Sequence, residues 1–131
     1  MTRQTLYETP SEDDEQEALF TWAAVNAPRI PCLRLLYAIP NGGKRDKREA
    51  AKLKRTGTKK GVPDICLPVP KGPYHGIYIE LKRKKGGQLS TEQRQWLRDL
   101  SDQGYYCAVC KGWEAAAKTI SIYIGTEGRI Q

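Results

Sequence analysis

The pattern of hydrophobic and polar residues predicts four helices and four strands, in the order α-β-α-β-β-α-β-α. The first helix begins at Ser11, an N-cap residue followed by four acidic residues, and ends near Pro28. Its apolar residues at helical spacing are Leu19, Phe20, Trp22 and Ala23. Residues 1–10 have no such period, and we expect them to form a flexible tail.

The middle of the chain predicts a strand, a short helix and a hairpin. The apolar run from Leu33 to Ile39 is typical of a strand, and the turn 41–43 follows it. Residues 46–56 predict a short basic helix closed by Gly57. Residues 61–82 contain two β-branched-rich stretches joined by a connection rich in proline and glycine. They are interpreted as a β-hairpin.

The last third predicts helix, strand and helix. Ser90 and Gln93 have the spacing of a capping box, so a helix begins there and ends at Gly104. Its expected buried face consists of Trp96, Leu97 and Leu100. A strand over 105–110 and a helix between Gly112 and Gly125 complete an α/β domain over residues 11–131.

Length and composition indicate one water-soluble domain. A chain of 131 residues buries a sufficient core without disulfides. No apolar run approaches the roughly 20 residues of a membrane span, and the N-terminus lacks the apolar core of a signal peptide. We therefore expect a cytoplasmic protein that does not interact with membranes and needs no small-molecule cofactor.

The four cysteines do not form a convincing zinc site. Cys107 and Cys110 have CxxC spacing, but no second CxxC exists and His75 is the sole histidine. In a strand, this spacing places the two thiols on opposite faces. We expect reduced thiols and no structural zinc.

The basic excess is confined to one part of the chain, the basic segment (residues 44–60). It holds nine basic and two acidic residues, so it accounts for the whole formal charge of +7. A solvated helix face is the structural alternative, but a surface that contacts DNA phosphates is the preferred interpretation. The predicted DNA-binding residues are Lys44, Arg45, Lys47, Arg48, Lys52, Lys54, Arg55, Lys59 and Lys60, with Arg83, Lys84 and Lys85 after the hairpin.

The hairpin carries the candidate catalytic residues. Asp64 lies at the start of its first strand, and Glu80 and Lys82 share a face near the end of the second. The two carboxylates and the backbone carbonyl of Leu81 suit Mg²⁺ or Mn²⁺, which prefer oxygen ligands. Such an ion binds a scissile phosphate and lowers the pKa of a bound water, while Lys82 either orients that water or stabilises developing charge. The dipeptide Pro63-Asp64 and the tripeptide Glu80-Leu81-Lys82 are common in proteins, and either one alone carries little weight.

Together, these residues resemble the PD-(D/E)xK nuclease superfamily, and more narrowly a stand-alone VRR-NUC domain of bacterial or phage type. The resemblance rests on SEDDEQ at 11–16, IPNGGKR at 39–45, LKRTGTKKGVPDI at 53–65, YIELKRKKGGQLSTEQRQWL at 78–97 and GYYCAVCKGWEAA at 104–116. It implies a restriction-endonuclease-like mixed sheet flanked by helices. It also implies metal ligation by Asp64, Glu80 and the Leu81 carbonyl, with Lys82 as the catalytic lysine.

The resemblance adds two further regions to the site. It implies a supporting role for Gln93, beside the capping role that its position predicts. Related nucleases place a glutamate of the first helix near the metal, and here the matching segment offers Glu12 and Gln16. Alignment on the following apolar residues puts Gln16 at that position, and a glutamine cannot neutralise a metal ion.

The leading hypothesis is a metal-dependent, structure-selective DNA endonuclease acting in DNA recombination and repair. Small stand-alone VRR-NUC proteins resemble Holliday-junction resolvases, and a C2 homodimer supplies the two active sites that paired nicks require. A restriction-like nuclease, or a flap or nicking nuclease, working with partner proteins is a second hypothesis. A non-catalytic module that binds branched or duplex DNA is a third, against which the intact set of Asp64, Glu80 and Lys82 argues.

Overall fold

The computed structural model of the chain describes residues 9–40 and 46–125. Its helices are α1 (Glu12–Asn26), α2 (Lys47–Arg55), α3 (Thr91–Asp102) and α4 (Trp113–Ile124). Its strands are β1 (Tyr37–Ala38), β2 (Ile65–Leu67), β3 (Ile77–Lys82) and β4 (Tyr106–Lys111). Within these ranges the predicted order of helices and strands is confirmed. The predicted turn at 41–43, Lys44, Arg45 and most of the predicted tail lie outside the described residues.

Side-chain caps fix the starts of three helices. Ser11 and Asp14 form a reciprocal capping box at α1, and Ser90 and Gln93 form another at α3. The Asp46 side chain accepts the first-turn N–H of Glu49 and so begins α2. These caps confirm the helix starts predicted from the sequence.

The strand predicted from Leu33 to Ile39 is wrong over most of its length. Residues Pro31–Leu35 form a 3₁₀ turn, and only Tyr37 and Ala38 belong to the sheet. Leu33 and Leu36 are buried at a helical spacing, whereas Leu35 is 52% exposed and Tyr37 is 47% exposed. A strand would place Leu33 and Leu35 on the same face. The proline at the start of the turn supplies the helical φ angle.

The four strands form one mixed sheet in the order β1-β2-β3-β4. The neighbours β1/β2 and β2/β3 are antiparallel, so the predicted hairpin is confirmed. β3 and β4 are parallel, joined by the crossover that contains α3. This order brings the end of β3 close to the beginning of β2 and to the helix that follows β3.

One face of the sheet carries the main hydrophobic core. Leu19 and Trp22 of α1 and Ile120 of α4 pack there against inward residues of β2 and β3. The opposite face is covered by α3, which has no buried residue. Its predicted buried residues Trp96, Leu97 and Leu100 are only half-buried, because this helix lies at the edge of the sheet over β4. The side chains of Glu80 and Lys82 lie on this face of the sheet, where both contact α3 through Gln93.

The basic helix α2 also has no buried residue, and it is more exposed than α3. Its apolar Leu53 is half-buried, and its lysines and arginines are exposed. The exposure of α2 leaves these cationic side chains available to a ligand. Within the described ranges, no helix is both long and apolar enough to span a bilayer.

Candidate active site

The hairpin brings Asp64 next to the end of β3. The backbone N–H of Leu81 donates to Asp64 Oδ2 at 2.8 Å, and the backbone N–H of Ile39 donates to the Asp64 carbonyl at 2.7 Å. The antiparallel register pairs Ile65 with Ile79, so Asp64 follows the strand toward Glu80. Backbone bonds from two sides therefore hold this residue in place.

Glu80 and Lys82 are joined by the side chain of Gln93 at the start of α3. Lys82 Nζ donates to Gln93 Oε1 at 3.2 Å, and Gln93 Nε2 donates to Glu80 Oε2 at 3.3 Å. Lys82 Nζ also lies 3.8 Å from Glu80 Oε2. The same Gln93 oxygen accepts the Ser90 N–H at 2.9 Å. Gln93 thus performs its predicted capping role while contacting both predicted catalytic side chains.

Glu80 is a buried carboxylate whose hydrogen bonding is incomplete. Its side chain is 1% exposed, and its Oε1 atom has no hydrogen-bond partner among the described residues. Burial first, and then the hydrogen bond and charge of Asp64, raise the pKa of Glu80 to about 9, while Lys82 opposes the shift. Two ionised carboxylates cannot donate to each other, so a proton or a cation is required between them.

This arrangement fits a divalent cation. Asp64 and Glu80 supply hard oxygen ligands, and Glu80 Oε1 is buried where a positive charge compensates its desolvation. Among the residues that the structure describes, no group of three or more histidine, cysteine, aspartate or glutamate side chains forms a metal cluster. The fit therefore rests on two carboxylates, with the Leu81 carbonyl as the expected third protein ligand.

The predicted first-helix residues, Glu12 and Gln16, differ in their exposure. Glu12 is exposed, and its charge adds to the raised pKa of Glu80, whereas Gln16 is half-buried. The buried acid of this helix is Glu15, which is 1% exposed. Its Oε1 accepts the backbone N–H of Trp113 at 3.1 Å, and its Oε2 has no partner within residues 9–40 and 46–125.

Sequence reasoning missed Glu15 as a structural residue. Gly112, the N-cap of α4, has no side chain with which to cap that helix, and Glu15 supplies a carboxylate instead. The Gly112 N–H donates to the Lys82 carbonyl at 2.8 Å, which connects this helix start to the end of β3. The sequence signal was periodicity, since Glu15 precedes Leu19 and Trp22 on the buried stripe of α1.

The predicted DNA-binding residues from 47 to 60 are exposed. Lys60 Nζ lies 4.0 Å from Glu92 Oε2, a long and exposed ion pair. Lys84 differs from its neighbours because its Nζ donates to Glu114 Oε2 at 3.2 Å. The pKa of Glu114 is lowered by a backbone hydrogen bond and, in addition, by Lys84. Lys84 thus has a partner within the chain, although it is exposed like Arg83 and Lys85.

All four cysteines have free thiols. Cys66 and Cys110 are buried, and Cys32 and Cys107 are half-buried. Burial raises the pKa of the Cys107 thiol to about 11. A thiol with so high a pKa is a poor nucleophile at neutral pH, so Cys107 is not a candidate for nucleophilic chemistry.

Comparisons with known proteins show the family and the fold of the chain. The sequence model of the VRR-NUC domain matches residues 9–114. The solved structure of a VRR_NUC domain protein superposes with a TM-score of 0.78 at 28% identity, covering 91% of this chain and 92% of that chain. The mixed sheet and its flanking helices are therefore those of a VRR-NUC structure.

A short segment is also similar to an ATP phosphoribosyltransferase of Desulfatibacillum aliphaticivorans, with 32% identity over 60 residues. The match covers 46% of this chain but only 19% of that protein's length. The similarity therefore concerns a segment of that enzyme and not the enzyme as a whole.

Proposed function

The chain belongs to the VRR-NUC domain family and is a nuclease of the PD-(D/E)xK type, and from this premise we propose its substrate and mechanism. The proposed activity is metal-dependent, structure-selective hydrolysis of phosphodiester bonds in DNA. The preferred substrate is a Holliday junction, resolved by a homodimer. The observation that supports this proposal most directly is the buried Oε1 of Glu80, unpartnered among the described residues, beside Asp64 and with Lys82 held next to it.

Asp64 and Glu80, with the Leu81 carbonyl, are the residues that would hold Mg²⁺ or Mn²⁺. A bound divalent cation supplies charge neutralisation of the phosphate and a lowered pKa for water. Glu80 must lose its proton for this role, and its raised pKa makes metal binding and deprotonation a coupled event. The carboxylate pair therefore retains a proton at low pH and becomes a pair of metal ligands at higher pH.

Lys82 would donate a hydrogen bond to a non-bridging oxygen of the scissile phosphate and stabilise its developing charge. Its side chain is only 9% exposed, and the bond to Gln93 restricts the position of Nζ. Little reorganisation is then required when the transition state forms. Gln93 acts as the positioning residue, because it binds Lys82 through oxygen and Glu80 through nitrogen.

The exposed cations of α2 and of residues 59–60 would bind DNA through its phosphates. Phosphate contacts carry no sequence information directly, so the basic segment is suited to a substrate recognised by shape. Resolving a four-way junction requires two symmetric nicks, and each chain carries one candidate site. A homodimer is proposed for that reason.

The test is a cleavage assay on a four-way junction, a flap and a linear duplex of matched sequence. Each is incubated with Mg²⁺, with Mn²⁺ or with EDTA. Wild-type protein is expected to nick the junction in symmetric pairs when a divalent ion is present. Asp64→Ala and Glu80→Ala are expected to abolish cleavage while junction binding persists, and Lys82→Ala serves as a third variant with both carboxylates intact. Full activity of either carboxylate variant would contradict the assignment.

Sedimentation of the free protein and of its junction complex tests the oligomeric state. A species of two chains is expected on the junction, with a 2:1 ratio of protein to DNA. A strict monomer that cuts flaps in preference to junctions would exclude the resolvase proposal in favour of a flap nuclease.

A further inference from the structure

The end of the basic segment is attached to the helix that carries Gln93. The indole N–H of Trp96, on α3, donates to the backbone carbonyl of Lys60 at 3.1 Å. These residues are 36 positions apart in the chain, so the bond joins two separate parts of the fold. Because it reaches a carbonyl, it holds the main chain and leaves the Lys60 side chain exposed.

The next residue makes an even closer approach to α3. Gly61 is buried and has a φ of +91°, a conformation that favours glycine. A Cβ atom at this position would lie 2.7 Å from the backbone carbon of Glu92 and 2.9 Å from the backbone nitrogen of Gln93. Only a residue without a side chain fits between the segment and the first turn of the helix.

Both contacts converge on the active site. The helical turn that Gly61 touches is the one from which Gln93 reaches Lys82 and Glu80. On the other side, only two residues separate Gly61 from Asp64. A displacement of the chain at residues 60–61 therefore acts on the ligand Asp64 and on the positioning residue Gln93 together.

The described remainder of the basic segment, residues 46–59, is held much less firmly. α2 has no buried residue. Gly57 has a φ of +103°, and a Cβ atom added there would meet no described atom within 4 Å. Lys59 and Lys60 lie between this open region and the contacts with α3, and both are exposed. The segment therefore changes from loosely held to fixed within four residues.

We propose that Trp96 and Gly61 are positioning residues that set the distance between the DNA branch point held by the basic segment and the phosphodiester that is cut. This inference rests on the proposed nuclease function and extends it to the choice of cleavage position. DNA bound by Lys59 and Lys60 is held in register because the backbone carbonyl of Lys60 is bonded to α3 and Gly61 is packed against that helix. Loosening that attachment lets the bound DNA slide relative to Asp64 and Glu80 without removing any phosphate contact.

The experiment compares Trp96→Phe and Gly61→Ala with wild type and with the matched control Gly57→Ala. Trp96→Phe keeps an aromatic ring and removes the N–H donor. Gly57→Ala and Gly61→Ala impose similar backbone strain, but only the second introduces a clash with α3. Cut positions on an end-labelled four-way junction are read at nucleotide resolution under single-turnover conditions. Junction affinity and thermal unfolding are measured on the same preparations.

Trp96→Phe and Gly61→Ala are expected to spread the cuts over neighbouring phosphodiesters and to slow cleavage roughly tenfold, since small misplacements near reacting atoms are costly. Junction affinity should stay within about twofold, because no phosphate contact is lost. Gly57→Ala should cut at the wild-type positions. A general loss of stability would lower the rate without moving the cuts, so the cut positions separate positioning from folding.

Unchanged cut positions in Trp96→Phe, in protein that unfolds at the wild-type temperature, would overturn the inference. Redistribution of cuts in Gly57→Ala equal to that in Gly61→Ala would also overturn it, because backbone strain alone would then be the cause. If wild-type protein cuts no DNA in the same assay, the proposed function fails and this inference fails with it. That outcome is visible in the wild-type lane alone.

Discussion

The raised pKa of Glu80 makes the stability of the metal-free protein depend on pH in a specific direction. In the folded protein this pKa is about 9, compared with 4.5 for the exposed side chain. Between these values the folded state retains a proton that the unfolded state has released. The contribution of this proton to the free energy of unfolding is therefore fully present below the unfolded-state pKa of 4.5. It decreases as pH rises toward the folded-state pKa of about 9.

The size of the effect follows from the number of protons. One proton bound only in the folded state costs about 1.4 kcal/mol of stability for each pH unit. From pH 6 to pH 8 the metal-free protein should lose about 2.7 kcal/mol, which for a domain of this size lowers Tm by about 10 °C. The slope of the unfolding free energy against pH depends on the number of protons and not on the exact pKa. This holds while both pH values lie between the unfolded-state and folded-state pKa of Glu80.

The assay is thermal or urea unfolding of EDTA-treated protein between pH 5 and pH 9. Glu80→Gln is the matched control, since it cannot ionise and keeps an amide of similar shape. Every other titratable side chain is common to both proteins, so the difference between their profiles isolates Glu80. Added Mg²⁺ should restore stability at pH 8 in wild type only, because the cation replaces the proton. Parallel profiles for wild type and Glu80→Gln would refute the reasoning.

Three further predictions test other parts of the site. Gln93→Glu should retain the α3 capping box, because a carboxylate oxygen still accepts the Ser90 N–H. It should lower the cleavage rate at neutral pH about a hundredfold, because it removes the amide donor to Glu80 and ion-pairs with Lys82; equal single-turnover rates would contradict this. Glu15→Ala should lower the free energy of unfolding by about 2 kcal/mol, because the N–H of Trp113 loses its cap. Glu15→Gln should keep most of that stability, since an amide oxygen still accepts the bond. Equal stabilities of the two variants in urea would contradict the capping role. A further variant replaces three cations of α2 by glutamine: Lys52, Lys54 and Arg55. It should reduce the slope of log affinity against log salt concentration by about 3, and an unchanged slope would show that DNA binds elsewhere.

Local signals predicted much of the fold. The N-cap Ser11 with its acidic first turn and the capping box of Ser90 with Gln93 are short-range patterns, and both helix starts are confirmed. The hairpin over residues 61–82 was also predictable, because its strands are separated by a connection of turn-forming residues. The strand from Leu33 was predicted wrongly because a short apolar run is ambiguous, and burial of Leu33 and Leu36 by the core decides for a 3₁₀ turn.

The contacts that sequence could not predict are those between distant parts of the chain. Glu15 and Trp113 are 98 positions apart, and no local pattern relates a glutamate in one helix to the N-terminus of another. The bond from Trp96 to Lys60 is hidden for the same reason, since the helical period marks Trp96 only as an apolar residue. Glu80, Lys82 and Gln93 could be proposed for one site, but no sequence pattern shows that a single amide binds both charged groups.

If the site binds a divalent cation as proposed, it must meet two requirements that usually conflict. A carboxylate such as Glu80 binds a cation well only where it is desolvated, but desolvation makes the ionised form costly before the cation arrives. Under the proposed function, the pKa of about 9 would resolve the conflict, because a proton would neutralise Glu80 until the cation binds. Gln93 is suited to this exchange because its amide carries no charge, so it holds Glu80 and Lys82 in either state. A carboxylate or ammonium in its place would favour one state over the other, and exchange between proton and metal would become harder.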